Sequence, residues 1–365
     1  MCQLCSAPPS AATNDADVGA FEERFIAAMN EAAMIAMASL GHRTGLFDAM
    51  ADGEALTSSG LAAKAGLDER YVREWLGAMV CAGIVVLDDG SGTYILPRAH
   101  AARLTRTASP NLAVMAQFMP LLSAVEDDIV GCFRNGGGVP YARFGRFHEV
   151  MAEESGQTVL PELEASILPL VPRLQRRLAD GIAVLDVGCG RARALMQMAE
   201  RYPKSQFTGL DLSEEAIDWA RSTARARGLA NIKFRTQDLA DFDRAAPLAA
   251  YDLITSFDAI HDQPQPMAMI KGIRRALAPG GVYLAQDIKG SGSHAGDRDN
   301  PIGTLLYTIS CMHCMTVSLA QGGAGLGAMW GRSTAESMFT EAGFGSVEVH
   351  ELAHDLQNYY YVCRA

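Results

Sequence analysis

The chain has 365 residues, of which 49% are hydrophobic and 20% charged, and its formal net charge is −11 at pH 7. That length has room for two domains, and the composition is that of an ordinary globular protein. The acidic balance argues against a general nucleic-acid surface, and no basic start with an apolar core and cleavage site marks an export signal.

Residues 1–16 are small and polar and read as a disordered tail. Of the eight cysteines, Cys2/Cys5 and Cys311/Cys314 have CxxC spacing, with His313 inside the second pair. The first pair sits in the tail and the second in an apolar helical pattern, so no metal site is expected, and the thiols fit a reducing cytoplasm. From Phe21 an apolar stripe through Phe25, Met29, Ala32, Ala33 and Ala36 predicts a helix. A short helix follows from Gly45-Leu46-Phe47 to Asp52.

Next comes a helix-turn-helix pattern. Thr57 or Ser58 caps a helix ended by Gly66, and Asp68 caps a second with Tyr71, Val72, Trp75, Leu76 and Met79 on one face. Ile84–Leu87 and Thr93–Leu96 around an acidic glycine turn form the hairpin of a winged helix. DNA contact would need a basic face. Residues 1–105 hold seven Lys/Arg against thirteen Asp/Glu, so a dimerisation or substrate-gating module over 17–105 is expected instead, with a homodimer formed through it.

Residues 106–180 read as a helical bridging segment, broken at Gly136-Gly137-Gly138-Val139-Pro140-Tyr141. Tyr141, Phe147 and His148 are candidates for lining a substrate pocket there. The most characteristic stretch is AVLDVGCGRARALMQMAERYPKSQFTGLD, Ala183 to Asp211. A buried strand, a glycine turn, a helix, a second strand and a terminal acid make the first unit of a nucleotide-binding parallel sheet. The glycines let backbone approach a ligand, and Asp211 can accept both hydroxyl protons of a ribose. Arg193 stands where a dinucleotide site shows its third glycine.

Downstream, a helix capped by Ser213 leads to strand Ile232–Thr236 and Asp238, which can accept a hydrogen bond from an adenine amino group. Leu212 and Leu239 could sandwich the ring. A fourth strand, Tyr251–Ser256, ends at Phe257-Asp258-Ala259-Ile260-His261-Asp262, and Asp262 is expected to cap the next helix. After Pro279-Gly280-Gly281 a fifth strand ends on Asp287, and two C-terminal strands form an antiparallel edge.

VLDVGCG, Asp211, Asp238, the LAPGG turn and the terminal YYYVCRA strand resemble a class I S-adenosylmethionine-dependent methyltransferase. With the winged helix ahead, the chain resembles a bacterial two-domain group related to plant-type O-methyltransferases. The resemblance implies a Rossmann-like α/β sheet over 181–365, mostly parallel with an antiparallel C-terminal edge, behind a mainly helical domain. It implies S-adenosylmethionine as cofactor and S-adenosylhomocysteine as product. Asp186, Gly188, Cys189, Gly190, Asp211, Leu212, Asp238, Leu239 and Phe257 form the candidate cofactor set. His261 matches the family's catalytic histidine, although Gln263 stands where the plant-type pattern has tryptophan.

An oxygen acceptor must lose a proton, and histidine is suited to take it near neutral pH. His261 is therefore the candidate general base, with Asp287 or Asp258 orienting its ring. The insertion 291–330 adds Met312, His313 and Met315 as substrate candidates, with its glycines as hinges. The expected partner is a small hydroxyl-bearing aromatic or hydrophobic molecule, with no nucleic acid and no membrane. An N, C or S acceptor is the nearest alternative. A cofactor-sensing regulator would need a basic recognition helix, and a nicotinamide-dependent dehydrogenase a fuller glycine fingerprint.

Overall fold

The computed structural model describes residues 15–365; Cys2, Cys5 and residues 1–14 of the expected tail lie outside the described residues. The chain divides into two compact units, the first ending at Met119 and the second running from Pro120 to Ala365. The stretch 106–180 is thus shared between them.

The first unit opens with a 30-residue helix, Asp15–Thr44, which starts ahead of Phe21 with Asp15 and Asp17 in its first turn, where the helix dipole favours acids. Only its C-terminal part reaches the core of this unit. Phe21, Phe25, Ile26 and Met29 stay exposed, Phe21 at 61%. Helix Ser58–Ala65 is capped by the Thr57 side chain, which accepts from Gly60 N, and Gly66 closes it at φ +68°. Asp68 caps Glu69–Cys81 by accepting from Arg70 N and Tyr71 N.

Val72, Trp75, Leu76 and Met79 of that helix are buried, at the 3–4 residue spacing of one face. Tyr71 is a correction. One residue before Val72, it lies about 100° round the helix and is 81% exposed. Strands β1 (Val86–Asp88) and β2 (Thr93–Ile95) pair antiparallel as the wing, and Leu56 bridges to Tyr94 as a third short piece. On the helix that would read DNA, Arg70 pairs with Glu74 and Arg73 with Glu69 one turn apart. Its cations are already neutralised within the helix.

The second unit is built on seven strands, β3 (Ala183–Val187), β4 (Gln206–Asp211), β5 (Ile232–Thr236), β6 (Tyr251–Phe257), β7 (Leu277–Ile288), β8 (Ser346–His350) and β9 (Asn358–Arg364). Their order is β5-β4-β3-β6-β7-β9-β8. The first five are parallel, and β9 runs antiparallel between β7 and β8. Side chains alternate across the sheet. Val184, Phe207, Leu253, Leu284 and Tyr360 fill a core on one side, and Leu185, Leu210, Ile254, Tyr283 and Tyr361 fill one on the other. The inner strands β3, β6 and β7 are covered on both faces, which is why they read as largely continuous apolar runs.

The strand order reverses at β3, so the crevice at the carboxyl ends of β3, β4 and β6 is where a sheet of this kind receives a ligand. Gly303–Ala320 has the length and apolarity of a membrane span, but it packs inside this unit. Thr316 Oγ1 accepts from Val139 N at 2.8 Å, and Ser318 Oγ donates to Gln263 O at 2.8 Å.

Candidate active site

The glycine turn after β3 is fixed from β4. Gly188 N and Cys189 N both donate to Leu210 O, at 2.9 and 3.0 Å. The Asp211 carboxylate accepts from Gly190 N at 2.7 Å and from Ser213 N at 2.8 Å, so one side chain clamps both the turn and the next helix start. Gly188 and Gly190 adopt φ +69° and +51°, the left-handed region that costs glycine least. A Cβ on Gly188 would come 2.4 Å from Ala259 Cβ, whereas one on Gly190 would project into open space. That opening over the carboxyl ends of β3 and β4 is a cradle a side chain would fill.

Around it, Leu212 is half exposed and Asp238 exposed, with Asp238 Oδ1 accepting from Ala240 N. Leu239 is buried against Phe242 and Leu210. Phe257 is half-buried at the end of β6. Asp186 lies beneath the turn, accepting from Thr255 Oγ1 at 2.7 Å, and burial raises its pKa to about 7. The Cys189 thiol turns inward towards Gly209 and Leu195, so only its backbone can face a ligand. Arg193, in place of a third glycine, donates to Ala152 O and lies against Gly156. It ties the start of its helix to helix Phe147–Thr158.

At the end of β6, Asp258 takes φ +51°, which turns the chain and brings His261 back to β7. His261 Nδ1 and Asp287 Oδ1 are 2.7 Å apart, and both residues are buried. Trp330 Nε1 and Ile288 N also donate to Asp287 Oδ1, at 3.0 and 2.8 Å. The ring partner is therefore Asp287, held by donors of its own; Asp258 makes no hydrogen bond to His261, and its Oδ1 is buried without a partner. Burial pulls the pKa of His261 down, but the Asp287 carboxylate opposes it and leaves the imidazole well above its ordinary value. Burial and the Asp287 charge push the Asp258 carboxyl well up.

An aromatic cluster lies close by. Phe147 stacks on His313 with centroids 3.5 Å apart, His148 stacks on Tyr141 at 5.1 Å, and Tyr141 and Phe144 meet His313 edge-on. Both nitrogens of His313 are buried without hydrogen-bond partners. Burial lowers its pKa, and the charge of His261 adds to that. His148 is also lowered by burial, while Asp211 acts the other way. Tyr141 is raised by burial and by the charges of Asp262 and Asp211. The cluster thus lies within electrostatic reach of both the glycine turn and the His261 dyad.

Gly138 docks this cluster onto the long apolar helix. A Cβ there would fall 2.0 Å from Thr316 O and 2.4 Å from Ala320 N. Gly138→Ala is therefore expected to destabilise the protein by about 1–3 kcal/mol, read as a lower urea midpoint. An unchanged midpoint would show that the docking is loose.

Three sequence-derived positions fall elsewhere or act differently. Met312 lines a cleft of 730 Å³ with Val130, Phe133 and Tyr307, whose lining includes none of Tyr141, Phe147, His148, His313 or His261. Met315 is half-buried beside Gly327. Asp262 caps nothing, because the next helix begins at Pro266 with Gln265 before it; its carboxyl instead accepts from Gln263 Nε2, and burial raises it to about 6. Of the second CxxC pair, Cys311 lines the cleft with Met312, whereas Cys314 is buried. Sequence reasoning missed Phe144 and Trp330 as neighbours of the site. A tryptophan beside a buried aspartate carries no periodic signal.

Two family profiles match the chain: an Rv2258c-like winged HTH domain over residues 32–106 and a methyltransferase domain over residues 178–320. Among curated relatives, a ubiquinone biosynthesis O-methyltransferase of Leptothrix cholodnii is 32% identical over 107 residues, 29% of this chain and 44% of that protein. A fatty-acid O-methyltransferase of Mycolicibacterium smegmatis is 28% identical over 110 residues, 30% of this chain and 38% of that protein. The chain thus spans less than half the length of either. Solved structures align over nearly the whole chain. Mitomycin 7-O-methyltransferase matches with a TM-score of 0.68 at 16% identity, covering 96% of this chain and 100% of its own. Human N-acetylserotonin methyltransferase, in complex with SAM, matches with a TM-score of 0.66 at 15% identity, covering 97% and 99%. At such identities the likeness is one of fold.

Proposed function

We propose that this chain, a class I methyltransferase domain behind a winged helix-turn-helix domain, is an S-adenosylmethionine-dependent O-methyltransferase for a small aromatic or hydrophobic molecule. The observation that carries the reading is the buried His261–Asp287 pair, placed at the carboxyl ends of β6 and β7 beside the open glycine turn. The residues present fit the cofactor. Gly190 leaves room for it, Asp211 and Asp238 offer carboxylates to ribose hydroxyls and an adenine amino group, and Leu212 offers an apolar face. When bound, S-adenosylmethionine supplies a methyl group on a sulfonium, transferred by in-line displacement.

The chain's own part is to position an acceptor, exclude water and remove a proton. Tyr141, Phe144, Phe147, His148 and His313 supply aromatic surface for a flat acceptor. Asp287 holds the Nδ1 proton of His261, which leaves Nε2 to take the proton of a hydroxyl. Methyl transfer from isotope-labelled S-adenosylmethionine to a panel of phenols, detected by mass spectrometry, tests the reading. A folded protein that binds the cofactor yet methylates only amines or thiols would move the acceptor class.

The dyad also sets a pH dependence. Neutral His261 is the active form, and Asp287 stabilises the charged one. Activity should therefore rise with pH through a pKa above the ordinary histidine value of about 6.5. Asp287→Asn removes that charge, so the acid limb should move to lower pH while kcat falls by on the order of 10²–10³. An acid limb that stays in place would separate Asp287 from the titrating group.

The first unit fits a homodimer. Val18, Phe21, Phe25, Ile26 and Met29 leave the first helix with an apolar face exposed, more than a solitary helix ordinarily shows to water. The ion-paired arginines of Glu69–Cys81 disfavour nucleic acid as a partner. A cytoplasmic setting fits the free cysteines of the described residues.

A further inference from the structure

We propose that Asp258, His261 and Asp287 form a binding site for a divalent first-row metal ion, and that the ion silences the base by taking its imidazole. The silencing rests on the functional reading above; the site itself stands on geometry. Each of the three residues offers one ligand atom, and these atoms all lie within 4.8 Å of one another. Donors around an ion at about 2.1 Å stand roughly 3–4 Å apart, so small side-chain movements suffice to enclose one.

The sheet sets this spacing. Phe257 pairs with Gln286 in the parallel register of β6 and β7, and Asp258 N donates to Gln286 O at 3.0 Å. Asp258 and Asp287 therefore come one residue past the same rung. The left-handed backbone of Asp258, φ +51°, then returns the chain so that His261 meets Asp287. Asp287 Oδ1 is fully engaged by His261, Trp330 and Ile288 N. Two other oxygens are not: Asp258 Oδ1 and Asp287 Oδ2 are buried without hydrogen-bond partners, and Asp287 is 0% exposed. Among the described residues, neither carboxylate is ion-paired to Lys or Arg. Buried carboxylates are ordinarily paired, hydrogen-bonded or bound to a metal. One imidazolium balances only one of the two, and a divalent ion balances both.

One imidazole nitrogen and two carboxylate oxygens suit Mn²⁺, Fe²⁺, Co²⁺ or Zn²⁺ rather than the soft ions that thiolates select. The effect on the base follows from the ring. An ion on Nε2 uses the lone pair that would accept the hydroxyl proton. An ion on Nδ1 displaces the proton held by Asp287, and the neutral ring then keeps its proton on Nε2. In both cases His261 takes no proton from an acceptor.

Mn²⁺ is the probe for the test, because thiols compete poorly for it, and the EPR signal of the free ion reports uptake without any acceptor. EDTA-treated, purified protein should take up about one Mn²⁺ per chain. Asp258→Asn, Asp258→Gly and His261→Gln should each weaken that uptake by at least about tenfold. Asparagine and glycine both accept the backbone of Asp258, and thermal unfolding confirms that each variant is folded. With the fastest phenol of the panel, Mn²⁺ should inhibit methyl transfer with a midpoint near the dissociation constant read by EPR. In Asp258→Asn that midpoint should rise by the same factor as the dissociation constant, measured against the variant's own metal-free rate. Uptake that is absent, or unchanged in all three variants, would overturn the proposal, and so would stimulation of transfer by the bound ion. No turnover with any acceptor would overturn the functional reading and the silencing with it, and the EPR titration would still decide the site.

Discussion

His261→Ala is expected to lower kcat by about 10²- to 10⁴-fold, the usual contribution of a positioned general base, while S-adenosylhomocysteine binding changes by less than about threefold. The separation comes from where the side chain sits. His261 is bonded to Asp287, whereas the glycine turn is clamped by Asp211. Its loss removes the proton acceptor but leaves the cofactor cradle standing. It also leaves the Asp287 carboxylate buried with one partner fewer, so some loss of stability should accompany it. Single-turnover kinetics on cofactor-loaded protein, at a temperature where the variant is fully folded, measure the chemical step. A variant that keeps its rate with phenols would remove His261 from the mechanism. One that keeps it only with thiols would point to an acceptor already nucleophilic.

Asp211→Ala is expected to weaken S-adenosylhomocysteine binding by about 100-fold or more, near 2.7 kcal/mol. Two effects combine. The carboxylate is the candidate acceptor for two ribose hydroxyls, and hydrogen bonds to charged groups contribute about 1.5–3 kcal/mol each. It also accepts from Gly190 N and Ser213 N, so without it the turn loses the clamp that holds its open shape. Asp211→Asn separates them. The amide retains one acceptor oxygen and the approximate shape, and it should fall between wild type and alanine. Affinity equal to wild type in both would remove Asp211 from the cofactor site.

The central sheet was legible because its inner strands β3, β6 and β7 are largely buried on both faces. Ala183–Val187, Gln206–Asp211 and Ile232–Thr236 are short apolar or β-prone runs bounded by glycine, serine or acids, and the structure places strands there. The positions of Asp211 and His261 at or just after strand ends were legible for a related reason. In a parallel sheet the residues that meet a ligand come just after strand ends, and strand ends are visible.

Elsewhere the local signal was missing. Tyr71 belongs to an amphipathic helix whose apolar stripe begins one residue later, and composition alone does not draw that edge. The Asp262 cap failed because Pro264 and Pro266 delay the helix. A 3.6-residue period cannot foresee the π turn at Ser310–Cys314, so Met312 was grouped with His313 although it lines a different cleft. Trp330 reaches Asp287 across 43 positions of sequence, and only folding brings them together.

The most direct test of the cofactor assignment is a calorimetric titration of the purified protein with S-adenosylhomocysteine, run beside NAD. The expected result is saturable one-site binding of the first, lost in Asp211→Ala, and no binding of the second. Binding of NAD in place of S-adenosylhomocysteine, or equal binding by the Asp211 variant, would contradict it.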